Sequence, residues 1–372
     1  MTTGLAAQRV LRDVEVVARA GLDLETFLSE ALESLSRALP YVGACVGTVD
    51  PATHLLTGTY KFGDLRGRDE LDHEWGLLEY GQADTTSFRD LARAEDPAVA
   101  VSAVRRDEPE ATRRVQEFMT PYYGYSDELR VIARDRQQVW AGLALFRDPT
   151  GGDFDADDVA LARALSPALS AGIRGGLLAR TADETLRGTA GPAVIVIGPD
   201  GHVKQYSHGA AERVADLLGT ITTPEADGMI SSLVGASRRF AQGLVDLPPR
   251  ARVRSRSGMW HVLHASPMCG PDGAVGDVVV TIDEARPPEI VPLVVSAFGL
   301  TPRERDVTQL VLRGMDTKEI GTSLHLSSWT VQDHLKAVFD KAGVRSRREL
   351  IARIYFDQYV PRMRTEASEA WG

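Results

Sequence analysis

The segment from 330 to 338 has a spacing that would place two kinds of side chain on opposite sides of one helix. Its apolar residues recur at steps of three and four, the period of a helix face, and are Val331, Leu335 and Val338. Gln332, Asp333 and Lys336 would then lie on the opposite face. These side chains can hydrogen bond to base edges: glutamine bidentately to adenine, lysine to guanine, and aspartate only to the amino group of cytosine.

Capped helix starts surround this segment. Thr301, Asp316 and Ser346 are each followed three residues later by glutamate, the capping-box pattern that satisfies free N–H groups at a helix start. Ser327 can cap the segment described above, and Gly314 is placed to end the first helix. The sequence therefore predicts four short helices within about 60 residues.

Only a tight turn around His325 and Leu326 separates the second helix from the third. That is helix-turn-helix geometry, in which the later helix can enter a major groove about 12 Å wide. The tail closely resembles the LuxR-type helix-turn-helix domain over residues 297–360, through LTPRE at 300–304, KEI at 318–320, TVQDHLK at 330–336 and GVRSR at 343–347. Gly321 stands where the family usually has alanine, and we expect it to loosen the second helix by up to ~1 kcal/mol.

The resemblance implies sequence-specific binding of double-stranded DNA and control of transcription, usually as a homodimer. Carried over position by position, Gln332, Asp333 and Lys336 would point into the groove. An acid is costly near phosphates, so Asp333 would discriminate between bases more than attract DNA. The expected phosphate contacts are Lys318, Thr330, Arg345 and Arg347, to which Arg348 could add. The alternative interpretation is that these residues form solvated helix faces.

Charge is distributed unevenly along the 372 residues. The net charge is −10, but residues 1–297 hold 30 basic and 42 acidic residues, whereas residues 298–372 hold 12 and 10. An acidic body with a mildly basic tail is typical of a tethered nucleic-acid binder. The composition, 43% hydrophobic and 25% charged, excludes a disordered chain. No apolar run approaches the ~18–20 residues of a membrane helix.

The cysteines and the N-terminus bear on the compartment. Cys45 and Cys269 lie far apart, which excludes a disulfide framework and fits a reducing cytoplasm. Asp13 and Glu15 fall where the apolar core of a signal peptide would be. The sequence therefore predicts a cytoplasmic protein.

Residues 1–180 are predicted to form a domain of helices and antiparallel strands. Changes between helical and alternating period predict helices at about 5–19, 24–39 and 155–180, strands at 42–49, 55–62, 129–133 and 139–146, and a hairpin connection at 136–138. Further helices lie between the second and third strands. This layout resembles the GAF domain, a common sensory fold, over about residues 20–180.

Residues 186–284 resemble a PAS domain. Strands at 193–197 and 202–206 flank the turn Pro199-Asp200-Gly201, helices follow at 209–218 and 229–242, and strands follow at 250–256, 260–267 and 274–283. Residues 181–191 read as a polar junction, and the prolines at 287–288 as a boundary before a short joining helix at about 289–297. The predicted fold class is thus multidomain α+β: GAF-like and PAS-like antiparallel-sheet domains, then an all-α four-helix LuxR-type domain at 297–360.

The front domains contain side chains that could bind a ligand. Nine aromatic residues of the first domain could line a ligand cavity or pack a core: Tyr60, Phe62, Trp75, Tyr80, Phe118, Tyr122, Tyr123, Tyr125 and Trp140. His261 and His264 are three apart on a strand and would face opposite sides, so no shared metal is expected. Cys45 is expected in the core and Cys269 near the surface.

Catalytic motifs are missing from the sequence. There is no G-x-x-x-x-G-K-[ST], G-x-S-x-G or H-E-x-x-H motif. The acidic run from Asp153 to Asp158 lacks the glycine and the terminal glutamate of an EF-hand loop. We therefore expect no enzymatic activity and no metal, predict no cofactor, and leave the residues of any cofactor site unknown.

Together these patterns predict a bacterial transcriptional regulator whose two front domains control a LuxR-type domain that reads an inverted repeat as a homodimer. A small molecule in the GAF-like or PAS-like domain would set the state, and no membrane partner is expected. The alternative is a constitutive DNA-binding protein whose front domains serve only dimerisation or protein docking, without a ligand.

Overall fold

The computed structural model of this chain describes residues 2–81, 85–104, 113–136, 138–179, 192–218 and 228–356. By their contacts these residues divide into two units. The first comprises those within Met1–Thr181, Gly188–Arg256 and His261–Glu284, and the second those within Ser257–Trp260 and Ala285–Gly372. The predicted junction at 181–191 and Gln137 of the predicted hairpin connection lie outside the described residues. The predicted border between the first two domains therefore stays a prediction.

An antiparallel sheet of five strands organises the first half of the first unit. The strands are β1 (Gly43–Val49), β2 (Leu56–Gly63), β3 (Ala98–Ala100), β4 (Asp127–Asp135) and β5 (Gln138–Arg147). Their order in the sheet is β2-β1-β5-β4-β3. Nearly every residue of β1, β4 and β5 is buried, because these strands are covered on both faces. The four predicted strands are confirmed, whereas the three-residue β3 was too short to be predicted.

Helices accompany this sheet. They are α1 (Thr2–Ala18), α2 (Leu24–Ser36), α3 (Asp72–Gly81), α4 (Phe88–Leu91), α5 (Val101–Val104), α6 (Thr120–Tyr123) and α7 (Ala156–Ala179). Helix α2 begins where Asp23 accepts a hydrogen bond from the backbone N–H of Thr26 at 3.1 Å. It buries Leu24, Phe27 and Leu28 against α7, as the helical spacing predicted. The order of elements is the GAF-like layout expected from the sequence.

A second antiparallel sheet organises the other half of this unit. Its strands are β6 (Ala193–Ile197), β7 (Val203–Tyr206), β8 (Arg250–Arg254), β9 (Trp260–Cys269) and β10 (Val275–Glu284), and its helices are α8 (Ala210–Leu218) and α9 (Gly228–Ala241). Each element lies within two residues of its predicted bounds. The strand order β7-β6-β10-β9-β8 repeats the order of the first sheet, although no repeat is visible in the sequence.

Direct contacts join the two halves of the first unit. The carboxylate of Asp50, 2% exposed, accepts hydrogen bonds from the backbone N–H of Arg252 at 2.9 Å and from its Nε at 2.7 Å. Helix α3 lies so close to α9 that a Cβ on Gly76 would be 2.8 Å from the carbonyl oxygen of Gly228. The two sheets are therefore packed as parts of one unit.

The second unit is helical. It contains α10 (Pro287–Ala297), α11 (Pro302–Leu312), α12 (Thr317–Leu324), α13 (Ser328–Ala342) and α14 (Arg347–Ile351), followed by a π-helical turn, Ala352–Phe356. The predicted interior residues are buried: Val307, Leu310, Val311, Ile320, Val331, Leu335, Val338, Leu350 and Ile354. The predicted Leu324 and Ile351 are half-buried. The predicted class, multidomain α+β with a C-terminal all-α domain, is confirmed.

None of the helices among the described residues is both long enough and apolar enough to cross a bilayer.

Two adjacent glycines on α7 provide a test of the packing between α7 and α2. A Cβ on Gly176 would lie 2.6 Å from the Cα of Leu24, whereas a Cβ on the exposed Gly175 would meet nothing within 4 Å. We expect Gly175→Ala to stabilise the first unit by up to ~1 kcal/mol through helix propensity. Gly176→Ala should destabilise it by about 1–3 kcal/mol because it forces the two backbones apart. Urea unfolding followed by circular dichroism measures both, and equal effects would contradict this packing.

His261 provides a test of burial on β9. The side chain is 0% exposed, its Nδ1 lies 3.4 Å from Nη1 of Arg213, and His264 lies half-buried further along the strand. Burial, reinforced by Arg213, lowers the pKa of His261 to about 4. Below its ordinary pKa of 6.5 the unfolded chain therefore binds a proton that the folded chain does not. The contribution of His261 to the free energy of unfolding is therefore complete above pH 6.5 and is lost as the pH falls toward 4.

We expect His261 to account for a loss of about 2 kcal/mol in unfolding free energy between pH 7 and pH 5. His261→Gln should remove this part of the pH dependence, whatever its effect on stability at pH 7. The exposed His208→Gln serves as the control and should keep the wild-type dependence. Urea unfolding at the two pH values measures the difference. An unchanged slope in His261→Gln would show that His261 is not held neutral.

Candidate nucleic-acid interface

Reciprocal hydrogen bonds fix the start of α12. The carboxylate of Asp316 accepts from the backbone N–H groups of Lys318 at 2.7 Å and Glu319 at 2.9 Å, and Glu319 accepts from the N–H of Asp316 at 2.7 Å. The helix ends at His325, whose φ of 55° is left-handed. The predicted capping box and tight turn are both confirmed.

Gly321 has a packing role that the sequence did not reveal. After the left-handed His325, the N–H of Leu326 donates to the carbonyl of Gly321 at 2.8 Å. The chain then passes so close that a Cβ on Gly321 would lie 2.8 Å from the carbonyl oxygen of Leu326. Glycine at this position lowers helix propensity, as expected, but it also permits a close turn that an alanine would force open.

The third helix of the domain, α13, is fixed at both ends and along its buried side. Ser327 Oγ accepts from the N–H of Thr330 at 3.1 Å, and Gly343 ends the helix with a left-handed φ of 66°. The buried side is the predicted one, with Val331, Leu335 and Val338 exposed by 5% or less. This burial fixes the orientation of α13 about its own axis.

The opposite side of α13 is exposed. Gln332, Asp333 and Lys336 all lie on it. Trp329 lies there too, and it is 72% exposed. The four positions are spaced i, i+3, i+4 and i+7, so they form one stripe along the helix. Within the part of the chain that the structure describes, no side-chain hydrogen bond or ion pair engages any of the four.

Trp329 is the residue that sequence reasoning missed. Its spacing from Gln332, Asp333 and Lys336 was the available signal, because position 329 must share their face on any regular helix. A large aromatic side chain left in water at the start of a capped helix is otherwise unexplained by packing.

Predicted phosphate-binding side chains flank this stripe. Lys318 in the first turn of α12 and Arg345 just before α14 are exposed, and neither has a carboxylate partner among the described residues. The hydroxyl of Thr330 lies 2.8 Å from that of Ser327 and so takes part in the cap. Arg348, which could add a contact, is exposed in the first turn of α14.

Arg347 has a structural role that the resemblance did not imply. Its Nη1 donates to the carbonyl of Met315 at 2.7 Å, and its Nη2 donates to the hydroxyl of Thr317 at 2.9 Å. The guanidinium group therefore ties the start of α14 to the start of α12. Contact of Arg347 with a phosphate stays a prediction.

Glu304 joins α11 to α13. Its carboxylate accepts from the N–H of Thr301 at 2.7 Å and from Nζ of Lys341 at 2.6 Å, while only 8% of its side chain is exposed. Burial raises the pKa of Glu304, but the hydrogen bonds from Lys341 and Thr301 outweigh it and hold the pKa below its ordinary value. Arg303 adds a bond from Nη2 to the carbonyl of Leu324, which ends α12.

The aromatic residues of the first domain mostly pack against one another. Trp75, Phe118, Tyr123 and Tyr125 share a cluster with Phe146, and Tyr125 stacks on Phe146 with ring centroids 4.8 Å apart. Tyr122 lies beside Phe118 with ring centroids 5.4 Å apart but is 55% exposed. Of the other predicted residues, Tyr60 is half-buried, and Phe62, Tyr80 and Trp140 are buried.

A cavity of about 50 Å³ lies beside this cluster, with Cys45, Trp75 and Phe88 in its wall. It has room for a few water molecules. A ligand in this domain stays a prediction. Cys45 is buried and Cys269 exposed, as predicted.

Comparison with known proteins identifies the family. Residues 299–354 match the family described as "Bacterial regulatory proteins, luxR family". The chain is 36% identical over 55 residues to the spore germination protein GerE of Bacillus subtilis, a match that covers 15% of this chain and 74% of GerE. The chain therefore belongs to the luxR family of bacterial regulatory proteins, through this C-terminal segment.

Other comparisons cover different shares of the molecule. A putative HTH-type transcriptional regulator of Mycobacterium tuberculosis is 48% identical over 53 residues, which cover 14% of this chain and only 6% of that regulator. The GAF domain of a phosphoenolpyruvate-protein phosphotransferase from Coxiella burnetii aligns with 45% of this chain and 93% of its own length, at 15% identity and a TM-score of 0.29.

The pair formed by Glu304 and Lys341 can be tested by substitution. We expect Glu304→Gln to destabilise the second unit by about 1–2 kcal/mol, because a buried, charge-assisted hydrogen bond is lost. Because the pKa of Glu304 is lowered, its contribution is present above the ordinary value of 4.5 and is lost as the pH falls below it.

Asp306→Asn on the same helix is the control, since the pair of Asp306 with Arg303, at 3.5 Å, is exposed. It should cost less than about 0.5 kcal/mol. Thermal unfolding at pH 7 measures both variants. Equal small losses would show that the bond between Glu304 and Lys341 does not hold the two helices together.

Proposed function

We propose that this protein is a DNA-binding transcriptional regulator whose helix α13 enters the major groove of double-stranded DNA. The observation that carries the proposal is the exposed stripe of Trp329, Gln332, Asp333 and Lys336, whose side chains have no partner within the described chain. Three are polar groups that match base edges, and they lie on a helix whose rotation is fixed by burial on its other side. Membership in the luxR family supports the same role.

Each residue of the stripe has a distinct chemical role in this proposal. Gln332 would bond bidentately to adenine and Lys336 to guanine. Asp333 would accept only from the amino group of cytosine and would reject other bases at that position. Trp329 would cover the methyl group of a thymine or a sugar at the edge of the groove, which removes its apolar surface from water.

Contacts with the phosphate backbone would come from the ends of the surrounding helices. Lys318, Arg345 and Arg348 extend into solvent without carboxylate partners among the described residues, which leaves their charge available to phosphates. Thr330 and Arg347 would contribute through donors not used in the cap or in the bond to Met315. The N–H groups at the start of α13 would add a further site for a phosphate.

We further propose that the protein acts in the bacterial cytoplasm as a homodimer and reads an inverted repeat with two copies of α13 about 34 Å apart. The first unit would set the activity of the second in response to a signal. The second candidate is a constitutive regulator whose first unit serves only dimerisation or protein docking. The packing of Trp75, Phe118, Tyr123 and Tyr125 into a closed cluster favours this candidate.

Selection from random duplex DNA at a stated salt concentration tests the proposal. The full-length chain and residues 289–372 should recover the same inverted repeat, unless the first unit inhibits binding, in which case only the fragment recovers it. Recovery of no sequence by either protein would overturn the proposal.

Substitutions on α13 then test the reading face. With the selected site, Lys336→Ala should lose roughly 1–3 kcal/mol of binding free energy and relax the preference at one base pair. Trp329→Ala should also weaken binding, and Trp329→Phe should restore part of the affinity because an aromatic ring remains. Lys318→Ala should weaken binding of all sequences alike and reduce the salt slope by about 1.

Arg66→Ala is the control, since it removes one exposed positive charge from the first unit, and it should leave affinity unchanged. Fluorescence anisotropy with labelled duplexes measures each variant. Wild-type affinity and specificity in both Lys336→Ala and Trp329→Ala would place the reading face elsewhere.

A further inference from the structure

A second cavity, of about 40 Å³, lies in the first unit where its two halves meet. The first half contributes His54, Arg89 and Arg93, and the second half contributes Val245 and Leu247 from the segment that follows α9. Arg93 is 57% exposed along its side chain and Leu247 is 46% exposed, so the cavity reaches the surface. It can hold the head of a small ligand while the rest extends along the rim.

The cavity is rich in positive charge. Arg89 and Arg93 lie in its wall, and Arg239 of α9 is close enough to both for each to lower its pKa. Among the described residues, the carboxylate that pairs with Arg89 and Arg93 is that of Asp90, with nitrogen–oxygen distances of 3.5 and 3.7 Å. Two guanidinium groups of the wall therefore share one carboxylate at these long distances, and the nearby Arg239 adds a third positive charge, which leaves a net positive site.

Arg239 has an unused donor. Its Nε is buried and has no hydrogen-bond partner in the described part of the chain. Burial, followed by the charges of Arg89 and Arg93, lowers the pKa of Arg239. A buried donor without an acceptor destabilises the folded state, and an anion against Arg89 and Arg93 would offset the repulsion among the three guanidinium groups.

His54 adds a polar side chain to the cavity wall, and its backbone is strained. Its backbone has a φ of 58°, in the left-handed region that residues other than glycine rarely adopt. Strained residues of this kind cluster at binding sites. Burial and then Arg93 lower the pKa of His54, so the neutral ring can donate one N–H to a bound anion.

The rest of the wall indicates what the anion must carry. Leu55, Tyr80, Val245 and Leu247 make much of the lining apolar. The same segment leaves Phe240 38% and Leu244 58% exposed beside it in sequence. A fully hydrated inorganic anion would gain nothing from these side chains, whereas an apolar group attached to the anion would bury against them.

We propose that this cavity binds a small organic carboxylate. The carboxylate would lie against Arg89 and Arg93 in the wall, since a guanidinium group matches its two oxygens. The apolar body would lie on Val245 and Leu247. Because both halves of the first unit supply the wall, the bound acid would bridge them. Binding of the acid is independent of the proposed DNA function, and only an effect on DNA affinity would rest on that function.

Isothermal titration of the full-length chain in a low-chloride buffer tests the site, with benzoate, hexanoate, acetate and inorganic phosphate as probes. Benzoate or hexanoate should bind saturably with one site per chain. Acetate and phosphate should bind at least tenfold more weakly, because neither carries a sizeable apolar body. Phosphate bound as tightly as the organic acids would overturn the assignment of the ligand class.

Variants locate the binding. Arg93→Gln should weaken binding of the organic acid at least tenfold, since Arg93 lies in the wall and its side chain is 57% exposed. Leu247→Glu should do the same by repulsion, and it changes a rim residue that is 46% exposed, so folding is not at stake. The exposed Arg66→Gln is the matched control for loss of one positive charge and should bind like the wild type.

Two results would contradict the site. One is the absence of saturable binding of benzoate and hexanoate to the wild-type chain at concentrations up to tens of millimolar. The other is wild-type affinity in both Arg93→Gln and Leu247→Glu. Loss of binding in the control as well would indicate a general effect of charge and would also overturn the proposal.

Discussion

Burial of one side of α13 is the constraint on which the candidate interface depends. A helix that buries Val331, Leu335 and Val338 has no freedom to rotate, so positions 329, 332, 333 and 336 must face solvent. Ser327 and Gly343 then fix where the helix begins and ends. The bond from Lys341 to Glu304 ties it to α11, while Arg347 ties α14 to the start of α12. The polar stripe is therefore positioned by groups that do not belong to it, which lets the exposed residues differ without disturbing the domain.

In the first sheet, charged side chains that are buried must be paired, and this constrains how the helices pack on it. Arg130 and Glu128 are 0% exposed on β4, although charged residues in a strand usually indicate exposed positions. Their charges are matched by partners from other elements: Nη2 of Arg130 lies 2.7 Å from Glu79 of α3, and Nη2 of Arg114 lies 2.8 Å from Glu128. Removing one partner would leave an uncompensated charge in the interior, which is strongly destabilising. The network thus couples α3 to the sheet, and α3 is also the helix that contacts α9 of the other half.

The first unit contains two sheets of the same strand order, and polar groups also lie at the boundary between its two halves. Asp50 and Arg252 form an ion pair across it that is largely buried, and a cavity lined by Arg89 and Arg93 lies at the same boundary. A ligand or partner that alters this boundary would change how the halves pack. The cavity of about 50 Å³ beside the aromatic cluster also has Gly228 of the second half in its wall, so both cavities lie where the halves meet.

The sequence by itself determined the elements whose cause is local. Capping residues and helical spacing predicted α11 to α14 and their buried residues, and alternation with turn residues predicted nearly every strand, because these signals act within a few residues. Only the tertiary structure decided the rest. Contacts between residues far apart in the chain decided the common strand order of the two sheets, the structural role of Arg347 and the cavity formed by Arg89 and Arg93 with Val245 and Leu247. No local pattern specifies such contacts, since they arise from how whole elements pack.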